Sequence, residues 1–355
     1  MRLKPLISLS LIFLSLTAFG DDRLNCAGLK LSPQSNLPIK TPPTVAWTEE
    51  YIVNQSSGYA LADQLKAMDR ILAYQNQRTM GCAETKPRVP DPLYESTRFK
   101  KNDNIYVSVA MGYDDHRPDK YVWDILLYNT LVNQMTSRCE SDFDRNCGFE
   151  NANPYSENDA LLAKQLGNNK KLYLHIFKAA LTWDDDLNRK NPAQQIASAE
   201  AENKFFHSFS DSQFVFYMGH SRNGGGADFY PPKLTASNGT DYQLYLLKKE
   251  NSNKLMAEMK KIKLEDRPLL FGFLGCDSQL HFENRLKTVM PNSMLMLSKQ
   301  EVFTVELYEG LMTVVNGIQL KKSKLEMNID LEAVNIARRS VKKMETSLLF
   351  LTGPK

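Results

Sequence analysis

Phe214-Val215-Phe216-Tyr217-Met218-Gly219-His220 and Leu269-Leu270-Phe271-Gly272-Phe273-Leu274-Gly275-Cys276 are the two stretches whose reading decides the fold. Each is a short apolar run, aromatic or branched, with no charge before its last residue. Half-exposed strands alternate apolar and polar residues, whereas strands buried on both faces of a parallel sheet do not. Both runs are of the second kind, and each ends in a side chain that can do chemistry. Parallel strands bring their carboxyl ends to one edge of the sheet, where open α/β folds carry their sites. An imidazole and a thiol are therefore expected side by side at that edge.

The same alternation extends in both directions. Ile105–Met111 reads as a first strand and is followed by an amphipathic helix over about 120–136, with Trp123, Leu126, Leu127, Leu131 and Met135 on one face. Lys171–Phe177 reads as the second strand, and a helix then starts near Pro192 and runs to about Phe209. The strand ending at His220 is third. A helical stretch over 242–263 leads to the strand ending at Cys276, and a helix over about 278–288 leads to a fifth strand at 293–297. Two more helices, about 305–320 and 330–346, close the chain. Strands alternating with helices predict an α/β fold, a mostly parallel sheet of about five or six strands covered by helices on both faces. Residues 21–103 read as an N-terminal extension with prolines at 33, 38, 42 and 43 and one helix over about 58–77. The main domain then spans 104–355.

Residues 1–20 carry the marks of a cleaved signal peptide. Arg2 and Lys4 precede an apolar run from Leu6 to Leu16 that is too short to span a membrane, and Ala18-Phe19-Gly20 supplies small residues for cleavage. An exported chain follows, periplasmic or secreted, with no stable membrane insertion. With 44 Lys and Arg against 41 Asp and Glu, the charge falls to +1 once Arg2 and Lys4 are removed. That balance excludes a nucleic-acid footprint. The oligomeric state is not encoded in any pattern of the chain.

Five cysteines fit the exported compartment. Cys139 and Cys147 flank a polar acidic loop and can close a local disulfide, and Cys26 with Cys82 can tie down the extension. Four cysteines allow three connectivities, so this pairing is a preference. Cys276 is left over. A free thiol in an oxidising compartment calls for a reason, and an adjacent base supplies one. Gly275 permits a tight strand exit, and a helix beginning near Ser278 would favour a thiolate and aim backbone N–H groups at an oxyanion. After the base comes Ser221-Arg222-Asn223-Gly224-Gly225-Gly226, whose glycines suit either close approach to a ligand or a mobile flap.

On these two blocks the chain resembles the caspase-like cysteine peptidases, the group that holds caspases, gingipains, clostripain, legumain and separase. The resemblance implies His220 as base, Cys276 as nucleophile, an oxyanion hole from the backbone N–H groups of Ser221 and Cys276, a peptide or protein substrate, and no cofactor or metal. Where the family has glycine after its histidine, this chain has Ser221. In that fold the loop after the first strand helps form the pocket for the residue before the cut. Asp114, Asp115 and Asp277 would there favour a Lys or Arg side chain, and Arg117 the opposite charge. A Ca²⁺ site at Asp184–Asp186 is a weaker expectation, since adjacent acids lack alternating ligand spacing.

Two other readings compete. Gly219-His220-Ser221 can be taken as part of a nucleophile elbow with Ser221 attacking, which requires a later histidine, and only His281 follows. The chain can also be a non-catalytic binding protein on the same sheet. Metal binding by His220, Cys276 and His281 lacks close ligand spacing. His116, His175 and His207 read as structural or solvated.

Overall fold

A computed structural model describes residues 58–83, 91–101, 103–116, 120–154, 156–167, 170–302, 304–338 and 349–353. The strands are β1 (Ile105–Met111), β2 (Asp115–His116), β3 (Tyr121–Val122), β4 (Glu150–Asn151), β5 (Asp159–Gln165), β6 (Lys171–Lys178), β7 (Phe214–Met218), β8 (Leu270–Leu274), β9 (Met294–Ser298) and β10 (Leu349–Thr352). The helices are α1 (Gly58–Ala83), α2 (Pro92–Glu95), α3 (Thr97–Lys101), α4 (Asp124–Thr136), α5 (Asp185–Lys190), α6 (Pro192–Asp211), α7 (Tyr242–Lys248), α8 (Glu250–Lys261), α9 (Ser278–Val289), α10 (Thr304–Gln319) and α11 (Lys324–Arg338).

Eight strands form one sheet in the order β10-β9-β8-β7-β1-β6-β5-β4. The central five, β9, β8, β7, β1 and β6, are parallel, and the pairs at both edges are antiparallel. The expected α/β fold is thus present, with two more strands than the sequence reading allowed. From β1 the chain runs outward to β6 and returns to β7 on the other side. The switch point therefore lies between the carboxyl ends of β1 and β7, where open α/β sheets form their crevice.

Every residue of β7, β8 and β9 is buried, which accounts for their unbroken apolar runs. Alternate side chains feed two cores. Phe214, Phe216, Met218, Leu270 and Leu274 join α1, α4, α10 and α11 on one face. Val215, Tyr217, Phe271 and Phe273 join α6, α8 and α9 on the other. Gly272 leaves the hole that the Phe216 ring fills, so any Cβ there would overlap that ring.

The extension helix is not separate from this core. Leu65, Met68, Ile71 and Leu72 of α1 pack with α10 and α11, and Asn76 Nδ2 donates to Asn316 Oδ1 at 2.6 Å. Lys322 Nζ donates to Asn76 Oδ1 at 2.6 Å. The Cys139–Cys147 disulfide forms as expected, with an S–S distance of 2.01 Å. Residues 1–20, Cys26 and the side chain of Cys82 lie outside the described residues.

Several boundaries differ for local reasons. The helix expected at 120 starts at Asp124, because Tyr121 and Val122 pair with His116 and Asp115. The stretch over 242–263 breaks at Lys249, whose φ of 49° is left-handed. The last helix begins at Lys324, and its expected end lies in 339–348, outside the described residues. β5, next to the edge strand β4, went unread because its apolar stretch Ala160–Ala163 is short and bounded by charged and polar residues. No described helix is long and apolar enough to cross a membrane.

At the β5–β6 edge, Asp159 accepts from His175 Nε2 at 2.5 Å and from Lys204 Nζ at 2.5 Å. Burial would raise the Asp159 carboxyl, but these two partners outweigh it and hold it at about 2. A depressed carboxyl stabilises the fold above its unfolded value of about 3.9 and loses that contribution as pH falls through the folded value. Asp159→Asn should therefore flatten the loss of stability between about pH 4 and 2 in acid-denaturation curves. Gly272→Ala should cost about 1–3 kcal/mol in urea unfolding, because the Phe216 ring must leave its rotamer.

Candidate active site

The switch point is closed by backbone first. Gly112 N–H donates to the Met218 carbonyl at 2.8 Å, and Tyr113 N–H donates to the Asp228 carbonyl at 2.9 Å. The loop after β1 then turns Asp114, Asp115 and His116 over the end of β7. Facing them is Arg222, whose side chain is fully buried. Its Nη2 donates to Asp115 Oδ1 and its Nε donates to Asp228 Oδ2 at 3.1 Å. The guanidinium also lies 5.4 Å from the centre of the Tyr245 ring. Thr240 Oγ1 donates to the other Asp115 oxygen at 3.0 Å.

His220 sits against this cluster. Its Nε2 is 2.9 Å from the Asp115 carbonyl oxygen and 3.1 Å from Asp114 Oδ1. A carbonyl and a carboxylate can only accept, so Nε2 carries the proton of the neutral ring. Nδ1 is then the basic nitrogen, and it has no hydrogen-bond partner among the described residues. Burial, with the Arg222 charge, pushes the imidazole below its ordinary value against the pull of Asp114 and Asp115. Burial would raise Asp114, yet His116, His220 and Arg222 hold it at about 2. Burial would lower His116, yet Asp114 beside it raises it.

Cys276 follows β8, the strand beside β7. Met218 pairs with Leu274, and Gly219 N–H donates to the Leu274 carbonyl at 3.1 Å. Continued past that last pair, the offset would set 220 opposite 276. The Gly219 carbonyl occupies the place of a Gly275 side chain, so only glycine lets the two exits approach. Sγ lies 3.6 Å from the Val302 carbonyl, and burial pushes the thiol up. Burial thus favours the neutral thiol, and no hydrogen bond joins it to the imidazole among the described residues.

Ser221 and Cys276 each present a backbone N–H with no partner among the described residues. Ser221 has φ −78° and ψ −15°, an ordinary right-handed conformation that needs no glycine. Helix α9 starts two residues after the thiol, with Asp277 at its N-cap position in the left-handed region and making no capping bond. Ser278, the first residue of the helix, bonds Ser298 Oγ through its own Oγ at 3.1 Å.

Asp115 is not available to a basic substrate side chain, because Arg222 and Thr240 occupy its two oxygens. Asp114 is buried between two histidines. The glycines after His220 are not a flap: Gly224, Gly225 and Gly226 are buried, and Gly225 abuts Tyr245. Ser221 is buried and its Oγ bonds no imidazole, while His281 packs over Gly224. That geometry does not make a serine triad. At the proposed Ca²⁺ loop, Asp184 caps α5, Asp185 bonds Tyr113 and Arg189, and Asp186 pairs with Lys120. His175 pairs with Asp159 and His207 Nδ1 lies 2.7 Å from the Asn203 carbonyl, both as structural groups.

The sequence reading missed Arg222, Asp228, Thr240 and the approach of His116 to Asp114. Arg222 follows His220 by two positions, but an arginine before a glycine run carries no local sign that it turns inward. Asp114, His116 and His220 bring one ligand atom each within 4.8 Å of one another. The trio His220, Cys276 and His281 is not gathered in that way among the described residues.

Protein-family models, characterised proteins and solved structures yield no match to this chain.

Arg222→Met should destabilise the fold by about 3–5 kcal/mol, because it leaves Asp115 and Asp228 buried without their counter-charge. Urea unfolding near neutral pH measures this, and a loss under about 1 kcal/mol would show that the ion pairs do not hold the site together.

Proposed function

We propose that the chain is a cysteine endopeptidase in which His220 is the base and Cys276 the nucleophile. The observation that supports this reading is the shared register of β7 and β8, whose carboxyl ends lead to an imidazole with an open nitrogen and to a free thiol on adjacent strands. Two unpartnered N–H groups, of Ser221 and Cys276, flank the same place and suit a developing oxyanion.

In this reading the thiol turns from the Val302 carbonyl toward the imidazole. Nδ1 of His220 takes the thiol proton as sulfur attacks the scissile carbonyl carbon. The two N–H groups receive the negative oxygen. The imidazolium then protonates the leaving amine, and water, with its proton taken by Nδ1, releases the acyl group from sulfur. The Asp115 carbonyl holds Nε2–H throughout and fixes the tautomer. Preference for Lys or Arg at the cut loses its support from Asp114 and Asp115. The Cys139–Cys147 disulfide is compatible with export, which the N-terminal residues suggest.

Cys276→Ala should abolish turnover of a peptide library and labelling by iodoacetamide, whereas Ser221→Ala, which keeps its N–H, should lower kcat less than tenfold. Peptide turnover that survives Cys276→Ala would sink the reading. An unreactive Cys276 with no turnover in the unaltered protein would move the chain to the non-catalytic class.

A further inference from the structure

Two imidazole nitrogens converge on one carboxylate oxygen beside the proposed base. His220 Nε2 lies 3.1 Å and His116 Nε2 lies 3.3 Å from Asp114 Oδ1. The rings are 5.8 Å apart between centres. His116 Nε2 is buried as an atom and meets no acceptor in hydrogen-bond geometry among the described residues, so it pairs with the carboxylate by charge without a well-aligned bond. Two ring nitrogens and a carboxylate oxygen gathered in this way suit a shared third partner.

The separations fit a metal. Zinc bonds to imidazole nitrogen and carboxylate oxygen are about 2.0–2.2 Å, so neighbouring ligands on a tetrahedron stand about 3.3–3.5 Å apart. Two of the three edges of the cluster are already within a few tenths of an ångström of that spacing. His and carboxylate donors suit zinc better than a hard, oxygen-seeking cation. The His116 side chain is 42% exposed, so the cluster lies close to the surface although its Nε2 is covered.

We propose that Asp114, His116 and His220 form a zinc-type divalent metal site whose occupancy disables the His220 base. The proton bookkeeping makes the link. A ligating nitrogen must offer its lone pair, so the metal at Nε2 displaces the hydrogen now shared with the Asp115 carbonyl. The neutral ring then carries its proton on Nδ1, and Nδ1 can no longer accept the proton of Cys276. The switch rests on the peptidase reading of His220; the metal site itself does not.

The test begins with Zn²⁺ binding to the Cys276→Ala protein, followed by competition with a chromophoric chelator, so that the thiol cannot serve as a ligand. One ion should bind, and His116→Ala and Asp114→Asn should each weaken it at least tenfold. Circular dichroism melts identify any variant that fails to fold, and His116→Gln serves as a second, gentler removal of the ligand. Co²⁺ in place of Zn²⁺ should give the visible absorption of a four-coordinate nitrogen and oxygen site, lost in the same variants. No binding, or binding unchanged in folded His116→Ala and His116→Gln, would overturn the site. In the unaltered protein, Zn²⁺ should inhibit peptide turnover at the concentration that fills the site, and chelation should restore it. Turnover unaffected by a filled site would overturn the switch. Zinc binding with the expected variant pattern but no turnover at all would count against the peptidase reading alone.

Discussion

The site depends on one buried charge. Arg222 reaches back from the loop after β7 and stands between Asp115, on the loop after β1, and Asp228, at the far end of its own loop. A guanidinium out of water is costly unless it is paired and hydrogen-bonded, and both conditions are met on two sides. The pairing fixes three segments at once. It holds the Asp115 backbone where its carbonyl can take the His220 Nε2–H, and it folds the glycine run down over Tyr245. It also keeps the Asp228 carbonyl where Tyr113 N–H finds it. Tyr217 reinforces the arrangement, donating from its hydroxyl to the Asp228 carbonyl at 3.3 Å and accepting from the Asp228 N–H at 3.0 Å.

The sheet contributes the other half of the geometry. A parallel pair with a constant offset carries its register past the last ladder bond, so neighbouring strand exits stay side by side only if nothing stands between them. Gly219, at φ 152°, and Gly275 meet that condition. A side chain at 275 would overlap the Gly219 carbonyl, and it would also crowd the Ser221 nitrogen, 3.3 Å from such a Cβ. The open N–H groups and the close approach of the two exits thus have one cause.

What could be read in the sequence followed burial. β7, β8 and β9 were legible because each is a run of apolar residues buried on both faces, β1 and β6 because their apolar residues recur in a strand pattern, and His220 and Cys276 because they end two of the buried runs. The edge strands β4 and β10, two and four residues long, were not, and neither was β5 beside β4, whose ends are charged or polar, since such pairing depends on a neighbour that local sequence does not name. Arg222 was hidden for a related reason. Taken alone, an arginine before three glycines describes a solvated loop, and only the two distant carboxylates turn it inward. Asp114 and Asp115 show the same gap from the other side: as acids on a loop they suggested a pocket for a basic residue, whereas the fold spends both on its own cations.

Protonation ties these pieces together. Burial pushes the Cys276 thiol up and, with Arg222, pushes the His220 imidazole down, so both groups favour their neutral forms at rest. An arginine that structures the site therefore also works against an imidazolium beside it. A preformed thiolate–imidazolium pair would need that repulsion offset, and Asp114 is the nearest group able to do so. Its carboxylate already serves two histidines, so whatever draws it toward His116 leaves His220 less supported as a cation. Protonation of His220 thus depends on burial and Arg222 and, beyond them, on how one buried carboxylate is shared, and a positive ion placed among the same three side chains would compete for that share directly.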